Sequence, residues 1–150
     1  MVRLVIPGVL PNLNDYIAAE RRHRQQGAKL KRQAEQVVML AAQKLRRVKF
    51  TGPVVMRYTW YEPNRRRDKD NVSSFGRKVI QDALVKAGIL PNDGWANIDG
   101  FSDEFAVDPK NPRVEVEIYE QGPCVERQGN KAAGGGRAGS ESLSAGGGGT

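Results

Sequence analysis

The chain has 150 residues, 39% hydrophobic and 27% charged, which is material for one domain with a modest core. No apolar run reaches the length of a membrane span, and the opening "MVRLVIPGVLP" lacks the pattern of a secretory signal. The net charge is +7, and the single cysteine, Cys124, excludes an internal disulfide and fits a reducing cytoplasm.

In chain order, "RLVI" from Arg3 predicts a short strand stopped by Pro7-Gly8. "LPNLNDYI" reads as a turn-rich loop. From about Ala28 to Val48, Leu30, Ala34, Val37, Ala41, Leu45 and Val48 recur at steps of three or four, as in an amphipathic helix. "VVMRYTWY" predicts a strand with Val54, Met56, Tyr58 and Trp60 on one face. A second helix follows from about Asn71 to Ala87, with Val72, Phe75, Val79, Ala83 and Ala87 as its stripe and Gly88 as its stop. "IDGFSDEFAV" and "RVEVEIYE" predict two further strands. The expected fold is α+β: a single mixed sheet with two packed helices in the order β-α-β-α-β-β, over residues 1–120. Residues 121–150 hold 10 of the 17 glycines and read as a disordered Gly-rich tail.

The charge is unevenly placed. Residues 1–67 carry 15 Lys/Arg against 4 Asp/Glu, whereas residues 68–120 carry 6 against 11. A basic first half suits a polyanion, most simply nucleic acid, although a solvated helix face would have the same composition. The sign changes inside "RRRDKDN", where Arg65, Arg66 and Arg67 run into Asp68 and Asp70. In an extended segment, side chains two apart point the same way with Cα atoms about 7 Å apart. Such a pair suits Mg²⁺, which takes one or two carboxylates plus waters and phosphate oxygens. Asp93 in "LPNDGWAN" is a third acid, provided the chain doubles back beside the second helix. Arginines beside metal-neutralised aspartates suit phosphodiester cleavage.

Blander readings stand beside this one. A lone D-x-D is more often a turn or a helix cap, and Asp93-Gly94 makes a good turn with no function. Lys78 and Asp82 are spaced as an ordinary helical ion pair. His23, in "RRHR", reads as solvated or phosphate-facing, and Trp60 and Trp95 as core or rim residues.

"PNRRRDKDN", "KVIQDALVKAGIL" and "NDGWANIDGFSDEF", in this order, resemble the RusA-type Holliday junction resolvases, especially the branch in phages and prophages of Gram-positive bacteria. "IPGVLPNLNDYIAAERRHRQQGAKLKR" looks like the same branch, so the resemblance spans about residues 2–120. It implies a Mg²⁺-dependent homodimeric endonuclease that resolves four-way DNA junctions by paired symmetric nicks. It implies that Asp68, Asp70 and Asp93 are the catalytic, metal-binding carboxylates, that Lys78 is the functional lysine, and that Asn14 matches a loop asparagine. Lys78 lies roughly one helical turn further from the acids than in the family pattern, which makes Arg77 a competitor for its role. The Gly-rich tail has no counterpart in the family.

The expected enzyme is a cytoplasmic bacterial protein, host- or phage-encoded. Arg65, Arg66 and Arg67 would bind backbone phosphates, with Arg21, Arg22, Arg24, Lys31 and Arg32 supporting the junction arms. The competing expectation is a non-catalytic basic DNA-binding protein whose acids are structural. A D-x-D nucleotide transferase is disfavoured by the lack of a glycine-rich phosphate loop.

Overall fold

A computed structural model describes residues 1–121. Its elements are β1 (Val2–Pro7), α1 (Leu13–Arg22), α2 (Arg24–Ala41), a 3₁₀ turn (Ala42–Leu45), β2 (Val54–Glu62), α3 (Lys69–Lys86), β3 (Ile98–Val107) and β4 (Arg113–Glu120). The strands form one mixed sheet in the order β1-β4-β2-β3. β4 pairs antiparallel with both β1 and β2, while β2 pairs parallel with β3. A parallel pair needs a long crossover, and α3 supplies it. The α+β class and the single mixed sheet are as expected, with a third helix added. The glycine-rich tail expected at 121–150 lies outside the described residues beyond Gln121.

The alternation of β2 and β4 sends Val54, Met56, Tyr58, Trp60, Val114, Val116 and Ile118 into the core. Helix α3 lays Val72, Phe75, Val79, Ile80, Ala83 and Leu84 on the same core. It comes close because Gly76 has no side chain: a Cβ there would lie 2.5 Å from the Trp60 ring. The helix ends in a Schellman turn. Gly88, at φ +80, donates to the Val85 carbonyl, and Ile89 donates to that of Leu84.

Three expectations are corrected. "LPNLNDYI" is not all loop, because α1 starts at Leu13. Asn12 caps it by accepting from the Asp15 amide at 2.9 Å, while the Asp15 carboxylate accepts from the Asn12 amide at 3.0 Å. This reciprocal pair turns an Asn-rich stretch into a helix start. The next helix begins at Arg24 rather than near Ala28 and gives way to the 3₁₀ turn after Ala41. Its buried row is Ala34 and Val38, continued by Ala42 of the 3₁₀ turn, so Val37 lies outward at 41% exposure, and Ala87, the C-cap of α3, is also exposed. Finally, α3 begins at Lys69 with Asp68 as its N-cap, so the D-x-D segment is not extended.

Candidate active site

The stretch from β2 to α3 is held from both sides. The Asn64 side chain accepts from the Arg66 amide at 2.9 Å and closes a local turn. Arg67 then forks onto Glu62, donating to both carboxylate oxygens at 2.9 Å, and donates to the Leu10 carbonyl at 2.8 Å. Its third neighbour is Asp15, at 4.0 Å. A guanidinium engaged in this way ties β2 to the chain leading into α1. Among the three arginines, Arg65 and Arg66 are exposed and Arg67 is half-buried inside the fold.

Asp68 has the extended backbone of an N-cap, φ −68 and ψ 139, but its side chain makes no capping hydrogen bond. Asp70 stands exposed in the first turn of α3. Neither carboxylate is engaged by another described residue. The positive end of the helix dipole favours negative charge at this point. Beside them opens a cleft of about 720 Å³ whose lining includes Arg65, Asp68, Lys69, Val72, Phe105 and Val107. The Lys69 ammonium lies 5.6 Å above the Phe105 ring.

The middle of α3 is different. Lys78 bridges Asp82 and Asp93 at 3.3 Å each. Asp82 also pairs with Lys31 at 2.8 Å, and Lys31 lies 3.7 Å from Glu35, which Lys86 holds from its other oxygen. Six charges of alternating sign thus run from Lys86 of α3 through Glu35 and Lys31 of α2, back to Asp82 and Lys78 of α3, and on to Asp93 in the turn beyond. The hydrogen bond to Asp93, with a second to Asp82, holds the Lys78 ammonium above the usual lysine range. Partial burial pushes the Asp82 carboxyl up, but the Lys31 and Lys78 ammonium groups beside it outweigh this and leave it below the ordinary range. Its partner Lys31 is raised, first by the same hydrogen bond. Arg77 is also committed. It pairs with Asp103 of β3, which accepts from the Trp60 indole at 2.9 Å, and it lies over Phe101 at 4.5 Å.

The chain therefore does double back, but only to mid-helix. Lys78 is eight residues beyond Asp70, about 12 Å along the axis. Among the described residues no group of three His, Cys, Asp or Glu is gathered to hold a metal ion. Asp68 and Asp70 do offer hard oxygen donors of the kind Mg²⁺ accepts one or two at a time. Asp93 stands apart from them, on Lys78.

The remaining cations fall into two groups. Arg21 and Arg22 at the end of α1 and Arg24 at the start of α2 are exposed at the junction of the two helices, with Arg32 exposed further along α2 and the neutral Asn14 exposed at the start of α1. Lys31 instead belongs to the charge row. Sequence reasoning passed over Lys69, between the two aspartates, and Phe105; the first had a signal in its position, and the second is placed only by the pairing of β3. It also took Trp95 for core or rim, whereas Trp95 is 99% exposed.

No helix among the described residues is long and apolar enough to cross a membrane. No curated protein matches the chain. Residues 8–119 match the family model of endodeoxyribonuclease RusA, a span that begins just after β1 and takes in both stations of α3, β2, β3 and all but the last residue of β4. The chain belongs to the RusA endodeoxyribonuclease family, and DNA is its substrate class.

Proposed function

We propose that the protein is a Mg²⁺-dependent endonuclease that resolves four-way junctions as a homodimer in the cytoplasm, by paired symmetric nicks. The observation that carries this reading is the pair of unengaged carboxylates, Asp68 and Asp70, at a helix N-terminus beside exposed arginines. When bound there, Mg²⁺ would supply the charge that draws phosphate to an acidic pair and activate water for in-line attack.

The rest falls to the chain. Asp68 and Asp70 hold the ion, and the α3 N-terminus steadies their charge. Arg65 and Arg66 seat the flanking phosphates, while Arg67 fixes the loop from which they project. Lys69, in the lining of the cleft, adds a further cation for the strand. Asp93 orients Lys78 as a second cationic station further along the helix, where it stabilises charge on the backbone. The exposed Arg21, Arg22, Arg24 and Arg32, with Asn14, support the arms.

The test is a nicking assay with a synthetic four-way junction and a matched linear duplex, in Mg²⁺ or EDTA, beside Asp70→Asn. Mg²⁺-dependent, junction-selective nicks that vanish in the variant support the reading. Tight junction binding with no cleavage under any divalent ion leaves a DNA-binding protein with structural acids.

A further inference from the structure

The most exposed large apolar side chain among the described residues is a tryptophan. Trp95 is 99% accessible, against at most 67% for any other on that surface. A lone exposed apolar residue needs no explanation, but Trp95 is not alone. Phe101, 52% exposed, lines the same open cleft of about 490 Å³, together with Ile98. The turn that carries Trp95 and the ring of Phe101 are each fixed. The amides of Asn97 and Ile98 each donate to the Gly94 carbonyl at 3.0 Å, which fixes the turn that presents Trp95. Lys78 anchors the same turn through Asp93. Phe101 is backed on one face by the Arg77 guanidinium.

The polar lining narrows the choice of ligand. It consists of Gln81, Asp93 and Asp99. Gln81 directs its amide nitrogen to the Tyr58 hydroxyl at 3.1 Å, which leaves its carbonyl oxygen as the acceptor. The cations nearest the cleft, Lys78 and Arg77, are already paired with carboxylates. Aromatic walls and the Gln81 acceptor, with no cation among the lining residues, suit a flat neutral ring with N–H donors better than a phosphate. The amino edges of adenine and cytosine are of that kind. In a paired duplex both faces of a base are covered by its neighbours, so only an unpaired base can enter.

We propose that Trp95 and Phe101 form a slot for one unpaired nucleobase at the branch point of the DNA. The inference rests on the branched-DNA reading and adds to it a source of structure selectivity away from the acids at the start of α3. Stacking on an exposed aromatic discriminates by strand state rather than sequence, since every base has a π-face.

The test uses the fluorescence of the full chain, in EDTA so that DNA stays intact. Trp60 is buried, so iodide reports on Trp95. Junction and single-stranded DNA should quench Trp95 and shield it from iodide, and linear duplex should not. Trp95→Ala should lose about fivefold to a hundredfold of the preference for junction over duplex, with unchanged circular dichroism. Trp95→Phe should keep most of that preference. A junction complex in which Trp95 stays open to iodide overturns the slot and leaves the nuclease reading intact. So does Trp95→Ala with full preference, or a sedimentation shift from dimer to monomer, which would make Trp95 a contact between copies. Wild-type protein with no preference for branched DNA overturns both.

Discussion

The two stations of α3 use the same residue types in opposite ways. At its start, Asp68 and Asp70 are unengaged and Arg65 and Arg66 face outward. At its middle, every charge is answered: Lys78 by Asp82 and Asp93, Asp82 also by Lys31, and Arg77 by Asp103. A charge that is satisfied within the fold positions its neighbours, while one left open can meet a ligand. The difference separates groups suited to chemistry from groups suited to holding the scaffold, without regard to residue type.

The sharpest way to break the comparison is at the open end. Asp70→Asn should lower cleavage on the order of 10²–10³-fold, with the melting temperature unchanged or slightly raised, as single-turnover nicking and calorimetry would record. Next comes the helix between the stations. Gly76→Ala drives a methyl group against Trp60 and should cost about 1–3 kcal/mol, read as a lower urea midpoint. Arg67→Ala strips Glu62 and the Leu10 carbonyl of their partner and should cost about 2 kcal/mol. Arg65→Ala, two residues away, should stay within about 0.5 kcal/mol. It should instead reduce the salt slope of DNA binding by about one. If the two arginines swap these effects, the division into scaffold and ligand charges is wrong.

The smallest effect is in pH. The Asp82 carboxyl titrates below the ordinary aspartate value of 3.8 in the folded chain. Its ion pairs therefore contribute stability above that value and lose it as the pH falls through the depressed one. Asp82→Asn should flatten the acid limb of stability against pH, measured by urea denaturation, and leave the neutral region nearly level.

Much of the fold was legible because its signals are local. The alternation of β4, the buried face of β2 and the Gly88 stop are each contained within a few residues. Helix α1 was missed because its start depends on a reciprocal hydrogen bond between Asn12 and Asp15, in a stretch whose composition reads as turn. The candidate site was legible by residue type but not by engagement. Nothing in "RRRDKDN" says that Arg67 reaches Glu62 and Leu10 while Arg65 does not. The link from Lys31 to Asp82 joins residues on different helices, and no spacing rule reaches that far.

One residue, His23, both closes α1 and opens α2, its ring accepting from the Gln25 amide at 3.1 Å. The two helices thus meet with no slack between them, and Gly27 packs directly against Glu20. The exposed arginines on either side stand at an angle that the backbone has already set, so the elbow acts as a protractor. Under the proposed function, a DNA arm would meet these arginines at that angle. Inserting one residue after His23 would turn α2 by about 100° and carry Arg32 away from Arg21 and Arg22, leaving every cation present and the gauge destroyed.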